Sequence, residues 1–159
     1  MKNKFILTLP FVLFIFFLKQ PVLSKPIKGV NHNRAKIHRT MSVDEMIRNI
    51  EFDFSKSAIR SKYVDQLTQL ASLMSSGNYV LAIRGHADSI GTYVGNWHLS
   101  DKRANLVKDF LIKNGVDAEK ITTTPFGSTI PIASNKTAAG RQKNRRAEFK
   151  IENIKQADK

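Results

Sequence analysis

From Ile50 onward the chain follows a regular alternation. Ile50, Phe52 and Phe54 are separated by Glu51 and Asp53, the period-two pattern of a half-buried strand. Polar Ser55–Ser57 interrupts it, and Ser57 or Ser61 is placed to cap a following helix. In that helix Tyr63, Leu67, Leu70 and Met74 recur at spacings of 4, 3 and 4, one face of an amphipathic element that Gly77-Asn78 ends. Tyr79 to Arg84 is an apolar run suited to a buried strand, closed by Gly85. A second helix is predicted over about 96–114, with Leu99, Leu106, Val107, Phe110 and Leu111 inward and Gly115 at its C-terminal cap. Ile121 to Thr124 reads as a strand, with Pro125 and Gly127 near its end. Residues 127–143 read as a long loop with one helical turn near Ala138. Ala147, Phe149 and Ile151 then alternate with Glu148 and Lys150 in a last strand. The order β-α-β-α-β-(loop)-β predicts an α/β (α+β) two-layer sandwich, with helices packed on one face of a mixed sheet.

The N-terminus has a different pattern. Lys2 and Lys4 precede Phe5–Leu18, 14 residues interrupted only by Thr8 and Pro10, and Lys19 follows. A spanning helix needs roughly 20 apolar residues, so residues 1–24 read as a secretory signal peptide cut ahead of Lys25. An uncleaved anchor is the alternative, and both imply export. Residues 25–44 have no period and are rich in Lys, Arg, His and Asn, which suits a solvated basic linker. The folded domain is expected over 45–152, with 153–159 as a tail.

Composition sharpens this picture in two ways. The 159 residues include no cysteine, which excludes a disulfide scaffold, a thiol nucleophile, a Cys-ligated metal and lipid attachment to an N-terminal cysteine. With 26 Lys+Arg against 13 Asp+Glu the net charge is +13, which predicts an anionic partner without naming it. Export turns the choice away from nucleic acid toward lipid head groups or cell wall.

The informative loop is Gly85-His86-Ala87-Asp88-Ser89-Ile90-Gly91, between a strand and a helix, where α/β sheets usually bind ligands. Asp88 sits in it, and Arg103 lies 15 residues later on the following helix. One reading of the pair is a structural salt bridge. The other is a clamp for a zwitterion, in which Asp88 accepts from an ammonium and Arg103 offers its fork to a carboxylate. His86 reads as a structural histidine or a general base, with no second histidine at metal-ligand spacing. No nucleophile elbow, GxGxxG or P-loop pattern is present. Arg141, Arg145 and Arg146 read as a solvated basic edge or an anion site. Tyr93 and Trp97 read as core packing or as a stacking surface for a ligand.

Taken in order, these blocks resemble the OmpA-like peptidoglycan-binding domain, the family of the C-terminal domain of outer-membrane protein A, the peptidoglycan-associated lipoproteins and the periplasmic part of flagellar stator proteins. The matching residues are Phe52-Asp53-Phe54 with Lys56-Ser57, and Gly85-His86-Ala87-Asp88 with Gly91. They continue with Asn96-x-x-Leu99-Ser100-x-x-Arg103-Ala104, Gly127 with Pro131, and Thr137-x-x-Gly140-Arg141-x-x-Asn144-Arg145-Arg146-x-Glu148. The resemblance covers about residues 45–152. It implies non-catalytic binding of peptidoglycan, with Arg103 on the carboxylate and Asp88 on the amine of the stem-peptide diaminopimelate. Asp53, Asn96 and Arg145 would assist. Ala87 stands where the family usually has Thr, Ser55 where Asp or Asn is common, and Gly95 where an aromatic residue usually precedes the Asn.

The missing cysteine sets the chain apart from the lipoproteins, the missing barrel from outer-membrane protein A, and the absence of an acidic residue in Phe5–Leu18 from the stator proteins. No cofactor and no metal are expected. The expected location is the periplasm or cell envelope and the expected partner is peptidoglycan, with envelope proteins or a membrane surface behind it and a homodimer left open. The competing readings are a basic-surface protein that binds anionic envelope polymer or lipid, and a wall hydrolase using His86 or Asp88.

Overall fold

Ser42 opens the first element of the computed structural model, which describes residues 40–154. The expected signal peptide or anchor (1–24), the linker up to residue 39 and tail residues 155–159 lie outside the described residues. Ser42 and Glu45 form a reciprocal capping box, each side chain accepting from the other's backbone N–H, and start the one-turn helix α1 (Val43–Met46). Strand β1 (Ile50–Glu51) and helix α2 (Val64–Ser76) follow, then β2 (Tyr79–Gly85) and α3 (Tyr93–Lys113). Strand β3 (Ile121–Pro125), helix α4 (Ala138–Asn144) and β4 (Arg146–Asn153) complete the fold.

The sheet order is β1-β4-β2-β3, with β4 antiparallel to both neighbours and β2 parallel to β3. The expected mixed two-layer sandwich is therefore present. Register explains why one face is dry. Leu81, Ile83 and Gly85 stand opposite Ile151, Phe149 and Ala147, so these side chains share a face, while Arg84 opposite Glu148 and Ala82 opposite Lys150 share the other. On the dry face Leu67, Leu70 and Met74 of α2 meet Ala104, Val107 and Leu111 of α3. Each buried Leu or Met there contributes roughly 1.5–3 kcal/mol.

Several local expectations change. Neither Ser57 nor Ser61 caps α2. A single 3-10 turn over Ser61–Tyr63 precedes it, and Tyr63 N–H donates to the Arg60 carbonyl at 2.9 Å, so an orphan donor is satisfied without a side chain. Helix α3 begins at Tyr93, three residues before the predicted start, because the Thr92 hydroxyl accepts from Gly95 N–H at 3.1 Å. Gly115 follows the Asn114 cap with φ 93°, the left-handed exit expected of it. The turn near Ala138 is a seven-residue helix capped by Thr137. The alternation in β1 also stops early. Phe52 is buried and its N–H donates to the Arg145 carbonyl at 2.8 Å, but Phe54 is 57% exposed. The chain leaves the ladder after Glu51 and turns at Asp53–Lys56, with Ser55 at φ 57°.

The long loop after β3 is held from within. Asn144, fully buried, accepts from Ile132 N–H at 2.9 Å and Ala133 N–H at 3.0 Å, and donates to the Ala133 carbonyl at 2.9 Å. Among the described residues, no helix is long and apolar enough to cross a membrane.

Candidate functional site

Strands β1, β2 and β3 run in the same direction, so their C-terminal ends and the start of β4 meet at one edge of the sheet. The loops leaving that edge enclose a pocket of about 320 Å³, lined by Asp88, Asn96, Arg103 and Arg145 with Phe54, Ser55, Ile90, Thr92 and Leu99 among its walls. Four of the five residues expected to act together are thus gathered from the β2–α3 loop, α3 and the junction of α4 with β4.

Asp88 is 3% exposed. Its Oδ1 accepts from Ile90 N–H at 3.0 Å, and its Oδ2 accepts from Arg145 Nη1 at 2.7 Å. Asn96 supports the loop from α3 by donating to the Asp88 carbonyl at 3.1 Å. Two acceptor positions on the Asp88 carboxylate are filled, out of about four.

Arg103 lies beside this pair without bonding to Asp88. It has no water-exposed surface, although it lies against the pocket. Nε donates to the Lys56 carbonyl at 2.9 Å, Nη1 to that of His86 at 2.9 Å, and Nη2 to that of Asp53 at 3.2 Å. Its guanidinium also lies over the Phe52 ring, 5.1 Å from the centroid. Those bonds use three of the five guanidinium hydrogens, all on neutral acceptors. Burial therefore pushes its pKa down to about 10, with repulsion from Arg145 adding to the fall and Asp88 opposing it.

Arg145, at 9% exposure, joins the walls: Nε donates to the Phe52 carbonyl at 3.2 Å, Nη1 to Asp88, and Nη2 to Gln142 Oε1. Two buried guanidinium groups thus face one buried carboxylate, and the pocket holds one positive charge in surplus. That surplus favours an anionic guest, while Asp88 supplies a place for a cationic one beside it.

Asp53 is not one of the residues lining the pocket. Its carboxylate accepts from Arg60 Nη2 at 2.7 Å and Nε at 3.1 Å, seven residues along the chain, and only its backbone carbonyl reaches Arg103. Of the arginines near the C-terminus, Arg141 is half-exposed, but Arg145 and Arg146 do not form a solvated basic edge. Arg145 is committed to Asp88, and Arg146, at 1% exposure, donates from Nε to Glu148 at 2.9 Å. Tyr93 and Trp97 are exposed and stack on each other at 6.2 Å between centroids, and neither lines the pocket. The residues that sequence reasoning missed are the apolar walls Phe54, Ile90 and Leu99. Ile90 was visible as an apolar residue in a polar loop.

His86 is not positioned as a base for this pocket. It is 1% exposed, stacks on Phe126 at 5.3 Å, and its Nε2 lies 3.6 Å from Glu148 Oε2, beyond hydrogen-bond reach. Among the described residues neither ring nitrogen has a hydrogen-bond partner. Burial lowers its pKa to about 4, helped by Arg146 and Arg84 and opposed by Glu148. Burial pushes the Glu148 carboxyl up, but its bond and charge contact with Arg146 outweigh that and hold it below the usual range.

Between the ordinary histidine pKa of about 6.5 and the folded value of about 4, the unfolded chain binds more protons at His86. Stability is therefore fully present above pH 6.5 and falls as pH drops through this window, with a slope approaching about 1.4 kcal/mol per pH unit. Urea midpoints at pH 7, 6 and 5 should show the loss in wild type, and His86→Leu should remove it. An unchanged slope in the variant would assign the effect elsewhere.

The sequence matches the OmpA family over residues 51–145. It is 43% identical over 103 residues to outer membrane protein A of Bordetella avium, covering 63% of this chain and 52% of that protein, so the chain spans about half of that relative's length. It is 39% identical over 132 residues to the peptidoglycan-associated lipoprotein of Buchnera aphidicola, covering 82% of this chain and 76% of the relative. The crystal structure of the peptidoglycan-associated lipoprotein from Burkholderia pseudomallei superposes with a TM-score of 0.65 at 29% identity, over 66% of this chain and 90% of that one.

Proposed function

Since the chain belongs to the OmpA family, we propose that it is a non-catalytic peptidoglycan-binding protein of the cell envelope that grips the diaminopimelate of the stem peptide. The observation that carries this reading is Arg103: a fully buried guanidinium on three neutral carbonyls, beside a buried carboxylate and inside a pocket with surplus positive charge. A free amino-acid end has the matching chemistry. Its carboxylate takes the remaining hydrogens of Arg103 and relieves the burial of an uncompensated charge, while its ammonium competes with Arg145 for Asp88. Arg145 is then a gatekeeper for Asp88 as well as a contact. Asn96 acts by holding the loop, and Asp53 through its carbonyl. The names of the relatives, which associate them with peptidoglycan and the outer membrane, support both the ligand and an envelope location.

The test is cosedimentation of the purified protein with insoluble diaminopimelate-type peptidoglycan at low and moderate salt. Wild type should pellet at both, because a desolvated clamp is screened less than a surface patch. Asp88→Asn keeps the shape and removes the charge that meets the ammonium, so it should stay in the supernatant while melting as a folded protein. Release of wild type by salt, with Asp88→Asn pelleting equally, would instead assign binding to the basic surface.

A further inference from the structure

A second cavity of about 230 Å³ adjoins the pocket, lined by Phe54, Ile90, Ala138, Arg141 and Arg145. It shares Phe54, Ile90 and Arg145 with the first, so the two form one groove that crosses an exposed apolar floor. Arg141 stands at the far side. Its Nη1 donates to the Asn135 carbonyl at 2.9 Å, and among the described residues no carboxylate lies within ion-pair distance of it. Arg141 and Arg145 are one turn apart, with Arg145 N–H donating to the Arg141 carbonyl at 3.1 Å, which sets their Cβ atoms about 5–6 Å from each other.

We propose that Arg141 is a second carboxylate subsite, which takes a free carboxylate of the stem peptide one or two residue positions away from the diaminopimelate. This rests on the peptidoglycan reading above and extends it. Three methylenes join the diaminopimelate zwitterion to the peptide backbone, and an extended peptide advances roughly 3.3–3.6 Å per residue, so with the zwitterion at Asp88 and Arg103 the backbone leaves along the groove whose far side is Arg141. The charge pattern of the groove fits such a ligand. The surplus positive charge at the clamp is followed by the Phe54–Ile90 floor, which suits a small apolar side chain, and then by a guanidinium with no acidic neighbour. A stem peptide carries a carboxylate on each side of diaminopimelate, on the preceding glutamate and on the terminal alanine. The groove chemistry is common to both.

The experiment is calorimetric titration of wild type and Arg141→Gln with three stem tetrapeptides: both carboxylates free, the glutamate carboxylate amidated, and the terminal carboxylate amidated. One amidation should weaken wild-type binding roughly three- to tenfold, the range of a partly exposed charged pair, and the arm that does so identifies the carboxylate. Arg141→Gln, checked for an unchanged melt, should bind that peptide and the free one equally. If Arg141→Gln keeps the wild-type discrimination, or neither amidation weakens wild type, the subsite is overturned while the clamp stands. If wild type binds none of the three, the clamp reading falls with it.

Discussion

Replacing Arg103 with methionine should lower stability by about 3 kcal/mol and abolish peptidoglycan binding together. The side chain is fully enclosed and gives one hydrogen bond each to the carbonyls of Asp53, Lys56 and His86. Those carbonyls lie on two loops, so one guanidinium ties the β1–α2 loop and the β2–α3 loop to α3. Methionine fills the space but leaves three carbonyls without donors, at about 1 kcal/mol or more each, against a typical total of roughly 5–15 kcal/mol. Relief of the buried charge offsets only part of this. Urea unfolding measures the first effect and cosedimentation the second. Arg103→Lys separates the roles, since it keeps the charge but lacks a planar fork to span three acceptors. If the lysine variant binds as wild type does, the fork is not what holds the carboxylate, and a methionine variant of unchanged midpoint would show that the loops do not depend on it.

Gly85→Ala should be as damaging, for a different reason. A Cβ at this position would stand 1.9 Å from the Ser100 carbonyl oxygen and 2.7 Å from its carbon, both backbone atoms of α3. No rotamer change removes such a clash, so the helix must move off the end of β2. Overpacking of this kind costs typically 1–3 kcal/mol and more when backbone must shift. Because α3 carries both Asn96 and Arg103, the pocket should open as the helix moves, and wall binding should fall with stability. A variant with wild-type midpoint and wild-type pelleting would mean that the helix-to-strand approach tolerates a methyl and is not what sets the pocket geometry.

The parts legible in the sequence were those governed by local period. Ala147, Phe149 and Ile151 were read correctly as one face because the sheet has a single dry side, and Leu67, Leu70 and Met74 because α2 presents one face to it. Phe54 was misread because the same alternation continues where the ladder has already ended, and the left-handed Ser55 that redirects the chain has no glycine to mark it. The early start of α3 was written in Thr92 and Gly95, but the surrounding glycines made that stretch read as loop. At the candidate site, the convergence of Asp88 and Arg103 on one edge was accessible from the strand, loop and helix order, whereas Asn96 and Arg145 came only with the family resemblance. The pairing was not. Asp88 meets Arg145 across 57 positions and Arg103 reaches Asp53 across 50, and contacts at that separation depend on the assembled sheet. The commitment of Asp53 to Arg60 was local enough to see, since seven residues separate them and the intervening turn brings them together.

The strand order has a consequence for when the protein becomes able to bind. The last strand among the described residues, β4, is interior to the sheet, and it provides the ladder partner of β1. A chain that emerges N-terminus first cannot close this sheet until Arg145 and β4 arrive, and until then Asp88 lacks Arg145 and Phe52 lacks its backbone acceptor. If the proposed function holds, attachment therefore waits on β4. A variant truncated before Arg146 would keep the pocket side chains and lose the strand that closes the sheet around them, so on the reading proposed above it should have no grip on the wall.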